Sequence, residues 1–211
     1  MIRKRQSRQE QGSTIIEFVL TVSLVMVPLL LGTMVIGFNL IRAMQANQVN
    51  RDAGHMFARG VDFSTGTGAG NRAVLTSMAP RLANSTTTGT GVVILSSVQF
   101  VGPTTCTNCA NLNHAVFTRQ LVIGNAALRT SVLGKVPSAS MLQDGSGTVT
   151  DPYKDTAVRA DNILNLLPSI NGNPPLADGQ VAYVSETYFT SPDFDLQGFL
   201  KPSGTYVRAI F

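Results

Sequence analysis

Residues 18–41 read FVLTVSLVMVPLLLGTMVIGFNLI, a run of 24 residues without a formal charge. At about 1.5 Å of rise per residue, a helix of this length extends for about 36 Å, which exceeds the roughly 30 Å hydrocarbon core of a bilayer. A core helix of a soluble protein usually has a polar face, whereas the polar residues here are only Thr21, Ser23, Thr33 and Asn39. The stretch therefore predicts one membrane-spanning helix.

The basic residues near this run lie mostly on its N-terminal side. Arg3, Lys4, Arg5 and Arg8 precede it, and only Arg42 follows it closely. Because Lys and Arg are enriched on the cytoplasmic side of membrane spans, we expect a cytoplasmic N-terminus and export of the residues after the span. A cleaved secretory signal has a shorter apolar region of about 7–15 residues and a small-x-small cleavage site, and neither is found here.

Composition limits the remaining chain to one domain and argues against nucleic-acid binding. The 211 residues suffice for an anchor and one domain of about 150 residues. Charged residues make up 13% of the chain, about half the usual share in soluble proteins. The formal charge is +4, but residues 43–211 hold 11 basic and 10 acidic side chains. No basic stripe follows Arg8, so a nucleic-acid interface is not expected.

Glu17 stands directly before the apolar run, where an unpaired carboxylate is costly to bury. Two kinds of compensation are open at this point. The acid could lie at the start of a plain anchor helix and interact with the helix dipole. Alternatively, it could pair with a positively charged amine that is created by cutting the chain nearby.

The stretch from Gly12 to Phe18, GSTIIEF, resembles the prepilin peptidase site of type IV pilin-like proteins. The resemblance implies that Gly12 is the last residue of a basic leader and that Ser13 carries the new amine. Glu17 is then the fifth residue of the mature chain, the position whose carboxylate pairs with the N-terminus of a neighbouring subunit in that family. Phe18 stands where Flp-type pilins often have tyrosine, and Ser13 replaces a common phenylalanine, which argues against a classical major pilin.

Within that superfamily the chain is most similar to the TadE/TadF group of pseudopilins from the tight-adherence (Flp) pilus. The similarity covers residues 8–60, including the continuation NRDAG at 50–54, and more weakly residues 178–211, including AYVSETYF at 182–189. It implies a minor pilin of the bacterial inner membrane that initiates or caps a pilus used for cell adhesion. The implied partners are prepilin peptidase, other pilin and pseudopilin subunits, the inner-membrane assembly platform and the lipid bilayer. No enzymatic activity and no cofactor are expected.

The pattern of residues predicts an α+β protein in three parts. These are a basic leader at 1–12, a transmembrane helix and amphipathic stalk at 13–62, and an exported α+β ectodomain at 63–211. A hinge rich in Gly and Thr is expected at 63–71. The ectodomain is predicted to contain helices at 71–84 and 154–167 and strands at 92–101, 115–123, 180–189 and 206–211, which form a largely antiparallel sheet.

Cys106 and Cys109 are the only cysteines. Export places them in an oxidising compartment, so we expect a disulfide that shapes the loop between the first two strands. Two alternatives stay open: a redox pair, which would make the protein an anchored enzyme, and a metal site completed by His55 and His114.

The remaining polar motifs have low specificity. DGSGT at 144–148 is similar to a metal-binding loop of von Willebrand A domains, but a structural turn is expected because no buried strand precedes it. Two acidic pairs do not fit the spacing of a calcium-binding loop and are expected to be solvated: Asp151 with Asp155, and Asp193 with Asp195. Neither a nucleophile elbow nor a Walker loop is present.

Overall fold

The computed structural model describes residues 7–79, 82, 89–136, 146–169, 174–190 and 204–211, and side chains from residue 14 onward. It divides into two compact units, Met1–Ala43 and Met44–Phe211. Helix α1 spans Ser7–Thr21, a π-helical turn follows at Val22–Met26, and α2 spans Val27–Ala58. The helical path through Thr14–Ala58 is long and apolar enough to cross a membrane, which is consistent with a single-pass anchor.

The apolar stretch of this helix is exposed. Its most apolar window has a mean hydropathy of 2.5, and no residue of that window is buried. Leu24, for example, is 77% exposed. Two polar side chains of the run bind carbonyls of their own helix, since the hydroxyls of Thr21 and Thr33 donate to Glu17 O at 2.8 Å and to Leu30 O at 2.9 Å. Such local bonds satisfy a hydroxyl in an apolar environment.

The π-helical turn coincides with a proline in the apolar run. Val27 N–H donates to Val22 O, five residues back, directly before Pro28. Proline has no N–H to donate and its ring collides with the carbonyl four residues earlier in a regular helix. A widened turn at this point is a common adjustment, because π-bulges relieve interruptions of the α-helical ladder.

The second unit is built on a four-stranded antiparallel sheet. Its strands are β1 Gly91–Val101, β2 His114–Gly124, β3 Val181–Phe189 and β4 Thr205–Ile210, in the order β2-β1-β3-β4. β1 and β2 pair across the predicted loop, and a bulge lies between Ser97 and Val98. All four predicted strands are confirmed to within a residue at each end, and the α+β class is confirmed.

Two apolar cores cover the two faces of this sheet. One joins the stalk part of α2 and helix α3 (Ala69–Met78) to the sheet, and it contains Ala46, Val49, Ala53, Phe57, Phe63, Leu75, Leu95 and Ile123. The other packs loops and the short helix α4 (Asn162–Leu166) against the opposite face, and it contains Val98, Phe117, Leu133, Val158, Ile163 and Val184. The stalk is therefore part of the core of the second unit.

The stalk and α3 end at or close to recognisable helix-stop signals. Gly60 has a φ of 81°, its N–H donates to Phe57 O at 2.9 Å, and Val61 N–H donates to Met56 O at 3.0 Å. This left-handed cap closes α2 at Ala58, four residues before the predicted end of the stalk at residue 62. α3 begins before the predicted residue 71 and ends at Met78, because Ala79 is extended ahead of Pro80.

The predicted helix at 154–167 is wrong. A 3-10 turn at Thr156–Val158 is followed by an extended segment, and only α4 is α-helical. Ala160 N–H donates to Ala115 O at 2.7 Å, and Arg159 forms a β-bridge with Val116. The edge of β2 thus offers these residues backbone partners that an isolated helix of this sequence would not supply.

The expected hinge at 63–71 is a pinned turn. Asp62 accepts hydrogen bonds from Ser64 N–H at 3.0 Å, from the Thr67 hydroxyl at 2.5 Å and from the Arg119 guanidinium at 2.7 Å. Phe63 is fully buried, and buried Arg72 donates to the carbonyls of Phe63 and Val122 at 3.1 Å each. The segment is therefore fastened to β2.

Candidate functional site

Glu17 lies inside a helix and not at its start. α1 begins at Ser7, so nine residues of the helix lie between its first residue and Glu17. The helix dipole acts within the first turn of a helix, and it therefore gives Glu17 little compensation in the uncut chain. Glu17 is exposed, and no cation or hydrogen-bond donor reaches its carboxylate among the residues that the structure describes.

The proposed processing site is helical. Gly12 and Ser13 lie within α1, and their side chains are outside the described part of the structure. Phe18, the residue after Glu17, is 68% exposed and begins the apolar surface. The expected cleavage and the expected pairing of Glu17 with another subunit both stay predictions, since a single chain tests neither.

Asn50 fastens the stalk to β3. Its Oδ1 accepts hydrogen bonds from the hydroxyls of Ser185 at 2.8 Å and Thr187 at 3.1 Å, and Ser185 also donates to Asn50 O at 2.9 Å. Asn50, Ser185 and Thr187 are all completely buried. Asn50 Nδ2 is buried without a partner in the described chain.

One helical turn further along, Gly54 allows close contact with the sheet. A Cβ at this position would collide with the ring of Phe211 and would lie 3.0 Å from Ser185 Cβ. The rings of His55 and Phe211 also pack together, with centroids 4.6 Å apart. The two stretches NRDAG and AYVSETYF, which carry the resemblance outside the anchor, therefore contact each other directly.

The hydrogen bonds from Ser185 and Thr187 to Asn50, called the Asn50 lock below, were not predicted from the sequence. The signal was present, since Asn50 is a polar residue on the face of the stalk that also carries Ala46, Val49, Ala53 and Phe57. A polar residue on a buried helical face requires a hydrogen-bond partner. Ser185 and Thr187 lie on the same face of β3, because side chains two residues apart in a strand point the same way. Nothing local in the chain indicates that this face packs against the stalk.

Replacing Asn50 by alanine is expected to lower the free energy of unfolding of the second unit by about 1–3 kcal/mol, because the buried Thr187 hydroxyl loses its acceptor. The measurement is chemical unfolding of the full chain in detergent, followed by near-UV circular dichroism. Gln48→Ala is the matched control, since Gln48 lies on the exposed face of the same helix. Equal stability of the two variants would contradict the lock.

The loop between β1 and β2, which contains both cysteines, is held by hydrogen bonds to the side chain of Asp178. The Asp178 carboxylate accepts hydrogen bonds from Gly102 N–H at 2.7 Å, from Thr104 N–H at 2.5 Å and from the Thr105 hydroxyl at 2.5 Å. Cys106 and Cys109 are half-buried free thiols in this structure, and Cys109 Sγ lies 3.9 Å from Cys106 O. The disulfide stays a prediction.

The surroundings of Cys109 do not favour its thiolate form. Partial burial, reinforced by the neighbouring Cys106, raises the pKa of the Cys109 thiol. Reactive cysteines have lowered pKa values, because the thiolate is the nucleophile. The surroundings of Cys109 therefore do not activate its thiol as a nucleophile.

The two histidines do not converge on the cysteines. His114 Nδ1 lies 2.8 Å from Asp161 Oδ2, and His55 packs on Phe211. Within the described residues no group of three or more His, Cys, Asp or Glu could hold a metal ion.

The weaker motifs have local contacts. In the DGSGT stretch, Thr148 forms a β-bridge with Arg119, and Asp144 lies outside the described residues, so the structural turn stays a prediction. Asp155 caps the 3-10 turn by accepting from Ala157 N–H at 2.8 Å, and Asp151 lies 3.5 Å from Lys154 Nζ. Asp193 and Asp195 also lie outside the described residues.

Acid is expected to destabilise the second unit below about pH 4 through Asp62 and Asp178. Hydrogen bonds from Thr67 and Ser64 hold the pKa of Asp62 well below its usual range. Desolvation acts to raise the pKa of Asp178, but hydrogen bonds from Thr104 and Thr105 outweigh it and lower that pKa as well. A carboxylate with a lowered folded-state pKa stabilises the protein above its unfolded-state pKa of about 3.9, and this stabilisation is lost as the pH falls further.

The measurement is the thermal midpoint of the full chain in detergent between pH 6 and pH 2.5. The double variant Asp62→Asn and Asp178→Asn should have a lower midpoint at pH 6 and a smaller decline toward pH 2.5. Asp151→Asn serves as the control, because this carboxylate is exposed and has only a distant lysine. A double variant whose decline matches that of the parent chain would refute the assignment.

Comparison of the chain with protein-family models, with curated proteins and with solved structures finds no match.

Proposed function

We propose that this protein is a minor pseudopilin of the tight-adherence type, which takes part in initiating or capping a pilus. The observation that carries the proposal is the carboxylate of Glu17, which has no partner in the described chain. Glu17 lies five residues after Gly12 and directly before the exposed apolar run. A helix that stayed alone in lipid would gain nothing from an acid there. A helix that joins a bundle gains an ion pair if another subunit presents an amine.

The sequence supports each step of this role. The four basic residues before the apolar run favour a cytoplasmic leader, and cutting after Gly12 would remove that leader and create an amine on Ser13. The ion pair between Ser13 of one subunit and Glu17 of the next would be desolvated among apolar helices, where a register that left either charge unpaired would be costly. The compact α+β unit would lie outside the cytoplasm.

The mature N-terminus tests the proposal most directly. In cells with an active prepilin peptidase, mass spectrometry of the purified protein should find a chain that begins at Ser13 and lacks residues 1–12. A Gly12→Leu variant is the matched control and should retain the leader, because the glycine before the cut is the feature that the resemblance assigns to the peptidase. A parent chain that still begins at Met1 would overturn the proposal.

A second candidate is an uncleaved, membrane-anchored scaffold or binding protein of the periplasm. It is favoured by the position of Glu17 at the boundary of the uncharged run, where water could reach the carboxylate. In that case the acid needs no partner. The two candidates differ in their tolerance of changes at Glu17.

A further inference from the structure

The two edge strands of the sheet, β2 and β4, differ in how many of their outward backbone groups are hydrogen-bonded. The outer edge of β2 is covered by backbone from two later segments. Val149 N–H donates to Thr118 O at 2.9 Å, Gln120 N–H donates to Gly147 O at 2.9 Å, and Ala160 N–H donates to Ala115 O. This edge therefore offers few free backbone groups to another strand.

Among the residues that the structure describes, no strand pairs with the outer edge of β4. Tyr183 and Phe211 exchange reciprocal backbone hydrogen bonds at 3.1 and 2.9 Å, which fixes the phase of the β3–β4 ladder. Because hydrogen-bonded and non-hydrogen-bonded pairs alternate in an antiparallel ladder, the N–H and C=O groups of Tyr206, Arg208 and Ile210 point away from β3. None of these six groups has a partner in the described structure.

β4 has little of the usual protection of an edge strand. It contains no proline and no bulge, and its only charged side chain is Arg208 at the centre of the open edge. Arg208 is exposed and forms no ion pair with any described carboxylate. Its cross-strand neighbour Glu186 is buried and accepts hydrogen bonds from Val132 N–H at 3.0 Å and the Tyr206 hydroxyl at 2.5 Å.

The arginine determines which strand fits. In an antiparallel pair of two copies with full overlap, Arg208 would face Arg208, and like charges directly opposite each other destabilise a sheet. A strand with a carboxylate at this position would instead form a cross-strand ion pair. The same strand would cover Tyr206 and Ile210, which lie on the same face as Arg208.

We propose that β4 is a docking edge for an extended strand of a partner protein, which carries Asp or Glu opposite Arg208 and apolar or β-branched residues on either side. Backbone hydrogen bonds to Tyr206, Arg208 and Ile210 provide the affinity, and the arginine provides the choice of partner. This inference does not depend on the role in a pilus. It applies equally to an uncleaved scaffold protein.

The test uses the full chain in detergent and two capped seven-residue probe peptides of alternating threonine and valine, one with a central glutamate and one with a central lysine. Amide hydrogen exchange is measured residue by residue. In the chain alone, the amides of Tyr206, Arg208 and Ile210 should exchange quickly, whereas those of Val207 and Ala209 should be protected by β3. The glutamate peptide should slow exchange of the first three at least fivefold, and the lysine peptide should have a much smaller effect.

Charge reversal separates this site from general peptide binding. Arg208→Glu should exchange the preference, so that the lysine peptide protects the edge better, while Arg51→Glu on the exposed face of the stalk should leave the preference unchanged. Equal protection by both peptides, or protection at other strands only, would overturn the proposal. Slow exchange of the amides of Tyr206, Arg208 and Ile210 in the chain alone would also overturn it. This holds whether the protection arises within one chain or from a dimer, which light scattering detects.

Discussion

Replacing Glu17 by alanine is expected to reduce surface pili at least tenfold while the protein remains at normal abundance in the membrane. The alanine variant keeps the apolar run and the basic leader, so insertion and export should be unaffected. In the proposed pseudopilin role, each subunit would lose the carboxylate that is proposed to neutralise a neighbouring amine, and an uncompensated amine among apolar helices costs several kcal/mol. Pili are counted by electron microscopy and the membrane-bound protein by immunoblot.

Two further variants isolate the charge. Glu17→Asp keeps a carboxylate and should restore part of the piliation, whereas Glu17→Gln keeps the shape and should not. Asp52→Ala is the matched control, because Asp52 is an acid of the same continuous helix beyond the apolar run. Normal piliation in Glu17→Ala would refute the pilin-type role and favour the plain membrane anchor.

The anchor and the strands were predictable because their signals are local. An uncharged run of 24 residues indicates a span whatever the rest of the chain does, and β-branched runs such as VVILSSVQFV indicate buried strands. Glu17 was also identifiable, since a carboxylate beside such a run is conspicuous in sequence. The Asn50 lock depends on a contact across 135 residues of chain, which no local pattern specifies.

The incorrect predictions share one cause, namely that tertiary contacts outweighed local preference. Residues 154–167 have a helical spacing of apolar side chains. Arg159 and Ala160 are nevertheless extended, because they pair with the backbone of the outer edge of β2. The turn at 63–71 contains three glycines and was expected to flex, yet Asp62 and Arg72 fasten it. A high glycine content indicates that an isolated segment has conformational freedom. In the folded chain, the hydrogen bonds of Asp62 and Arg72 remove that freedom.

Gly68 in this turn should tolerate no side chain. An alanine Cβ there would collide with Ser64 N and would lie 2.6 Å from Asp62 O and 2.7 Å from the carbonyl carbon of Phe63. These are backbone atoms, so no side-chain rotation can relieve the overlap. We expect Gly68→Ala to lower the free energy of unfolding by about 3 kcal/mol, because the turn must open and the hydrogen bonds to Asp62 weaken.

The neighbouring glycines provide controls within the same stretch. Gly66 and Gly70 have no atom within 4 Å of the position that a Cβ would occupy. Gly66→Ala should therefore be nearly neutral, and Gly70→Ala should leave stability unchanged or raise it by up to about 1 kcal/mol, since Gly70 lies in α3. Chemical unfolding of the three variants distinguishes a pinned turn from a hinge: a hinge predicts three similar, small effects, whereas a pinned turn predicts one large loss at Gly68. The requirement for glycine at Gly68 comes from space alone, because its φ of −85° is open to any residue.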